Sequence, residues 1–98
     1  MITGLTTEQM ERFYTSLNSE FEISVRTYER THKFDVVHSS FYWMTSGICE
    51  GAFAAGCTDE QYSDLCQMRW DLLDNFIKIT DAIDKKRIHE EVYGEVTA

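Results

Sequence analysis

The sequence predicts an all-α fold, a three-helix antiparallel bundle of long helices. The 98 residues contain no proline, apolar residues recur at helical spacing along most of the chain, and one helix-start pattern occurs twice. A chain of this length forms one core, so we expect a single domain over residues 1–98. The helices should span about residues 7–32, 34–55 and 59–90, followed by a frayed C-terminal tail.

The repeated pattern consists of a glycine, an apolar residue, a threonine, two polar residues, a glutamine and an apolar residue. It begins at Gly4 and again at Gly56. Thr6 and Thr58 stand where N-caps would, and each has a glutamine three residues later, which is the spacing of a capping box. The repeat therefore predicts where the first and third helices begin, but it indicates no chemistry.

The first helix has one apolar face. Its apolar residues follow steps of three and four, whereas its other faces carry glutamate and arginine. The apolar positions are Met10, Phe13, Tyr14, Leu17, Phe21, Val25 and Tyr28. This pattern predicts a helix on the surface of the bundle with a single buried side.

The second helix is apolar on nearly all sides, which is typical of the central helix of a small bundle. Gly56 follows it in the position of a left-handed C-cap. Gly47 and Gly51 lie one turn apart within it. Because glycine has no side chain, this spacing would let another helix approach closely.

The third helix carries two apolar stripes, which is more than a three-helix monomer needs. The first stripe contains Tyr62, Leu65, Leu72, Phe76, Ile79 and Ile83. The second stripe contains Cys66, Trp70, Leu73, Ile77 and Ile88. We expect the second stripe either to form the interface of a homodimer or to lie in a groove between the other two helices.

A third sector of the same helix is acidic. It carries Glu60, Asp64, Asp71, Asp74 and Asp81, with Trp70 at its edge. Carboxylates in a row can imitate the phosphates of a nucleic acid. This acidic stripe could therefore occupy the basic groove of a nucleic-acid-binding protein, with Trp70 as an aromatic anchor. The alternative is a solvated helix face that binds nothing.

The net charge of −8 limits the kinds of partner that the chain can bind. Direct contact with nucleic acid or with an anionic membrane needs a basic surface, so neither is expected. A protein with a basic surface, such as part of a nucleoprotein complex, suits this charge. Acidic charge can also serve solubility alone.

The three cysteines Cys49, Cys57 and Cys66 are an odd number, and no signal-peptide pattern precedes them. This favours reduced thiols and a cytoplasmic protein. No histidine and cysteine have the spacing of a helical metal site, and the segment around Gly47 lacks the lysine that ends a phosphate-binding loop. We therefore expect neither a metal nor a cofactor.

The leading functional hypothesis is a small non-enzymatic protein-binding module. It would act as an inhibitor or accessory factor, of the kind that a phage or mobile element could encode. The alternative is a homo-oligomer that binds a small ligand or nucleotide between subunits. The residues for that alternative are Tyr42, Trp43, Arg69 and Trp70.

An enzyme is the hypothesis that the sequence favours least. It would be built on Glu50, His38 and Cys49. Glu50 is the one acid beyond the first turn of the apolar second helix. A buried carboxylate would need a partner, for which Arg69, a tyrosine or His38 could serve. A structural ion pair, or an exposed position at the rim, accounts for Glu50 more simply than a catalytic acid does.

Overall fold

The computed structural model of the chain describes residues 4–94, in which three helices pack against one another. The first helix, α1, spans Thr7–Thr31, α2 spans Phe34–Ala54 and α3 spans Asp59–Tyr93. No strand occurs within residues 4–94, so the all-α prediction is confirmed. The third helix continues beyond the expected residue 90, and residues 95–98 of the predicted frayed tail lie outside the described range.

Both copies of the repeated pattern form capping boxes. Thr6 Oγ1 accepts a hydrogen bond from Gln9 N at 3.1 Å, and Gln9 Oε1 accepts one from Thr6 N at 2.8 Å. Thr58 and Gln61 make the same pair of bonds at 3.1 and 3.0 Å. These bonds satisfy N–H groups that have no partner within a helix, and they explain why α1 and α3 begin where they do.

Gln61 also joins the two helix starts. Its Oε1 accepts a second hydrogen bond from Leu5 N at 2.9 Å, and its Nε2 donates to Leu5 O at 2.8 Å. Gly4 permits this approach, because its φ is 75° and a Cβ there would meet the Gln61 side chain and lie 2.6 Å from Thr58 Cγ2. The start of α1 therefore lies beside the start of α3.

A second contact joins the same two helices further along. Tyr28 is buried in α1, and its Oη donates a hydrogen bond to Asp84 Oδ1 in α3. Burial and the Asp84 carboxylate raise the pKa of Tyr28 to about 12, so its hydroxyl keeps its proton at neutral pH. Both contacts join residues 56 positions apart, so α1 and α3 run side by side in the same direction.

Aromatic rings fill the middle of the core. Phe76 is fully buried in α3. Its ring centroid lies 5.3 Å from that of Phe41 and 5.9 Å from that of Phe34, both in α2, and 6.4 Å from that of Tyr28 in α1. The cluster therefore ties all three helices together at one level.

The glycines around α2 have different surroundings. Gly56 follows the helix with φ of 97°, which is the left-handed conformation expected after a C-cap. A Cβ at Gly47 would have nothing within 4 Å, and one at Gly51 would meet only Phe13 Cε1 at 3.8 Å. Within residues 4–94, no helix backbone approaches either glycine closely, and both glycines are exposed.

The three helices form a rod of 68 × 20 × 16 Å. At 35 residues α3 is the longest element, against 25 for α1 and 21 for α2. Within the described residues, no helix combines the length and the apolar character that crossing a membrane would require.

Candidate protein-binding surface

The predicted acidic stripe lies on the side of α3 that faces away from the core. Its five members are all exposed, namely Glu60, Asp64, Asp71, Asp74 and Asp81. They fall within roughly 100° of the helix circumference at 3.6 residues per turn. The structure thus places every acidic residue of the stripe where a partner could reach it.

Neutralisation by lysine is confined to one end of the stripe. Asp81 Oδ2 lies 3.0 Å from Lys85 Nζ, which is an ion pair within one helix turn. Towards the start of α3, Asp71 accepts a hydrogen bond from the uncharged Gln67 at 3.0 Å. Among residues 4–94, no lysine or arginine lies within 4.0 Å of the carboxylates of Glu60, Asp64 or Asp71.

The rod can be divided near its middle, at the level of Leu17 in α1, Phe41 in α2 and Leu73 in α3. This level follows from the 56-position offset between α1 and α3, and from two contacts of α2 with α3 on either side of Leu73: Tyr42 O with Arg69, and the ring of Phe41 with that of Phe76. We call the half that contains both capping boxes the acidic half, and it comprises residues 4–17 and 41–73.

The acidic half holds seven carboxylates and two arginines, whereas the rest of the described chain holds nine carboxylates and seven lysines or arginines. Of the two arginines, Arg12 pairs with Glu8 at 3.1 Å and Arg69 is only 7% exposed. The negative charge on the surface of the acidic half is therefore almost uncompensated.

Two exposed tryptophans lie beside this charge on neighbouring helices. Trp43 in α2 is 68% exposed and Trp70 in α3 is 49% exposed. The ring of Tyr42 contacts both edge to face, with centroid distances of 5.2 Å to Trp43 and 6.2 Å to Trp70. Together with Arg69, these three rings form what we call the aromatic cluster. Its members are the four residues that the sequence suggested for a ligand.

Arg69 holds the cluster together from beneath. Its Nε donates to Thr45 Oγ1 at 3.0 Å and its Nη2 donates to Tyr42 O at 3.1 Å. Its guanidinium lies 4.4 Å from the centroid of the Tyr42 ring and 4.9 Å from that of Trp70. The faces of these rings attract the cation, which has no carboxylate within 4.0 Å in the described residues. The suggested pairing of Arg69 with Glu50 is thus absent.

The second apolar stripe of α3 is interrupted on the surface. Trp70, Ile77 and Ile88 are about half-exposed. Leu73, in contrast, is 3% exposed and belongs to the core of this chain, and Cys66 is half-buried against that core. Only three of the five residues are therefore available to a second subunit without rearrangement.

The three residues of the enzyme hypothesis do not meet. Glu50 is exposed and accepts a hydrogen bond from Tyr62 Oη at 3.1 Å. His38 stacks on the ring of Phe34 and lies about 18 Å from Glu50, towards the start of α2. Cys49 is buried, and burial above all raises the pKa of its thiol to about 11.

No metal centre is visible in the part of the chain that the structure describes. Residues 4–94 contain no group of three histidine, cysteine, aspartate or glutamate side chains placed to hold an ion.

The comparison of the chain with protein-family models, with curated proteins and with solved structures finds no match.

Proposed function

We propose that the chain is a small, non-enzymatic protein-binding module that occupies the basic surface of a nucleic-acid-binding partner. The acidic half is the observation that carries this proposal. Its seven carboxylates face only one solvent-exposed arginine, Arg12, which is itself paired. Opposite charge speeds the encounter between two proteins and selects the partner, so a basic surface is the natural counterpart.

The spacing of the stripe supports imitation of a nucleic acid. Glu60, Asp64 and Asp71 are separated by about 6 Å and 10 Å along the helix axis, at 1.5 Å per residue. The phosphates of a nucleic-acid strand likewise form a row of closely spaced negative charges, and the stripe presents such a row on one face of α3. A bound module would compete with nucleic acid for the partner, which is how an inhibitor or accessory factor would act.

A double charge reversal tests the proposal. We expect Asp64→Lys with Asp71→Lys to reduce the capture of nucleic-acid-binding proteins from a bacterial lysate by about tenfold, since it replaces attraction with repulsion at the centre of the stripe. The tagged chain is immobilised, and captured proteins are quantified by mass spectrometry after washes at low and high salt. Salt should release them, because it screens charges at the surface.

The matched control is Glu22→Lys with Glu90→Lys. Both residues are exposed outside the acidic half, and the change in net charge is the same. Capture by this control should stay within about twofold of the unmodified chain, and the thermal unfolding of both double variants should be unchanged. Equal capture by the two double variants, or capture that high salt does not weaken, would overturn the proposal.

We further infer that α2 runs antiparallel to α1 and α3. Two contacts support this arrangement. Glu50, near the end of α2, accepts a hydrogen bond from Tyr62, near the start of α3. Phe34, the first residue of α2, stacks on Phe76, in the middle of α3. Successive residues of α2 thus approach earlier turns of α3.

A homodimer is the arrangement proposed for the exposed flank of α3. Ile77 and Ile88 lie on this flank with Trp70, and burying them against a second subunit would remove apolar surface from water. Light scattering should give a mass near twice the 11.5 kDa of one chain. Ile77→Lys should restore the single-chain mass, because it puts charge into the interface. A single-chain mass for the unmodified protein at high concentration would rule the dimer out.

The second candidate function is a homo-oligomer that binds a small ligand or nucleotide between subunits. The meeting of Tyr42, Trp43, Arg69 and Trp70 in one cluster supports it. It depends on the dimer, because the ligand would lie between two subunits. A cavity of about 450 Å³ lies elsewhere in the chain. That cavity is lined by Glu29, His32, Ile83, Lys86, Arg87 and Glu90. A single-chain mass would therefore remove this candidate as well.

A further inference from the structure

We propose that the aromatic cluster and the acidic residues beside it form a docking surface for a basic amphipathic helix of the partner protein. This inference rests on the proposed function, because it specifies which part of a basic partner the chain holds. The surface has an apolar part and an acidic part that lie side by side. A helix with an apolar face and a basic flank matches both.

The apolar part combines residues of two helices. Trp43 of α2 and Trp70 of α3 expose their indole rings, and Ile77 lies two turns after Trp70 on the same edge of α3. Within α2, the nearest aspartate, glutamate, lysine or arginine residues on either side of Trp43 are Asp35 and Glu50. Large apolar side chains grouped on a surface and bordered by charge mark sites of protein interaction.

Two rings of this surface, those of Tyr42 and Trp70, are held in place before any partner arrives. Arg69 is fixed by its hydrogen bonds to Thr45 and Tyr42, and it lies against the rings of Tyr42 and Trp70. A partner therefore does not have to order these side chains, which lowers the free-energy cost of binding. Tryptophan, tyrosine and arginine are also the residues that contribute most often to binding energy at interfaces.

The acidic part borders the rings directly. Asp71 follows Trp70 in the sequence and Asp74 lies one turn further, and both are exposed on the outer side of α3. A segment that covered Trp43 and Trp70 would thus meet carboxylates along one flank. Lysine and arginine on that flank would be attracted, whereas nucleic acid and an anionic membrane would be repelled by the net charge of −8. A basic helix bound here would take the place of a second subunit at Trp70 and Ile77.

The spacing of the apolar residues favours a helix as the occupant. Trp70 and Ile77 are seven residues apart, or about 10 Å along α3, which is the repeat of apolar residues on the face of another helix. A helix laid across α2 and α3 would complete a four-helix arrangement around the aromatic cluster. Helix-in-groove recognition of this kind uses apolar anchors at i, i+3 or i+4 and i+7.

Intrinsic fluorescence tests the docking surface directly, since the two tryptophans of the chain both belong to it. The probe is a synthetic helix of about eighteen leucine and lysine residues with all leucines on one face. We expect saturable binding with a blue shift of the tryptophan emission. A scrambled peptide of the same composition, and a peptide with glutamate in place of lysine, should bind at least about tenfold more weakly.

The variant Trp43→Ala should weaken binding of the leucine–lysine helix by about tenfold, as loss of an interface anchor does. Its side chain is mostly exposed, so the fold should tolerate the change. The matched control is Ile23→Ala, which removes a half-exposed side chain of α1 and should change the affinity less than about twofold. Peptide binding is followed by fluorescence anisotropy of a label on the peptide.

Equal binding of the scrambled peptide, or unchanged affinity of Trp43→Ala, would overturn the docking surface. So would a dimer of the chain alone that Trp43→Ala dissociates, because the surface would then bind a second copy. If lysate capture is lost in the Asp64→Lys and Asp71→Lys variant but kept in Trp43→Ala, this inference fails and the proposed function stands. If the leucine–lysine helix binds but the Asp64→Lys and Asp71→Lys variant captures as much protein from the lysate as the unmodified chain, the proposed function fails instead.

Discussion

Replacing Phe76 by alanine is expected to lower the free energy of unfolding by about 3–5 kcal/mol. The side chain is fully buried and its ring contacts those of Tyr28, Phe34 and Phe41. Its removal leaves a cavity at the level where all three helices meet. Because a small domain is stable by about 5–15 kcal/mol in total, much of the stability would be lost. Urea unfolding followed by circular dichroism measures the change.

The matched control for this prediction is Phe53→Ala. Phe53 is 63% exposed, and its ring approaches that of Tyr62 at 5.7 Å. We expect its replacement to change the free energy of unfolding by no more than about 1 kcal/mol, the contribution of one aromatic pair at the surface. If the two alanine variants were equally stable, Phe76 would not occupy the centre of the core as described.

The second large effect is expected at Arg69. Arg69→Ala should lower the free energy of unfolding by about 2–4 kcal/mol, because it removes two hydrogen bonds from a charged donor and the contacts of the guanidinium with two rings. Arg69→Lys should recover less than about half of the loss, since an ammonium group lacks the planar donors of arginine. The same denaturation experiment measures both variants.

Arg12→Ala provides the comparison for Arg69. Arg12 is exposed and makes an ion pair with Glu8 at 3.1 Å on the surface of α1. An exposed pair of this kind contributes about 0.2–1 kcal/mol, so its loss should be small. A similar loss for Arg12→Ala and Arg69→Ala would mean that the buried guanidinium contributes no more than a surface charge.

The helix starts were predictable because their chemistry is local. Thr6 with Gln9, and Thr58 with Gln61, form their bonds within one turn, so four residues of sequence are sufficient. The second bond of Gln61, to Leu5, was not predictable in the same way. It joins residues 56 positions apart and depends on how α1 and α3 lie against each other.

The surroundings of Arg69 show the same limit. A buried arginine usually pairs with a carboxylate, and the sequence offered Glu50 of the second helix as such a partner for Arg69. The structure instead sets Arg69 against Thr45 and Tyr42, 24 and 27 positions away. Helical periodicity places a residue on a face, but it does not say which side chains of another helix lie opposite.

The acidic stripe of α3 was predictable from the sequence, but the residues of α2 that lie beside it were not. A period of 3.6 residues places the five acids of α3 on one face. The acidic half, however, also depends on α2 bringing Glu50 beside Tyr62 near the start of α3, and Trp43 into one cluster with Trp70. In the second apolar stripe, Leu73 lies in the core of this chain whereas Trp70, Ile77 and Ile88 stay about half-exposed. Periodicity alone does not distinguish these positions.

The length of the rod has a consequence for how the molecule approaches other proteins. Charges in water at physiological salt act over about 8 Å, whereas the rod is 68 Å long. A basic protein near one end therefore senses the charges of that end and almost none of those at the other. In the field of a basic protein that came close, the uneven charge distribution would experience a torque that turns the capped end towards that protein. Collision is thereby biased towards one orientation.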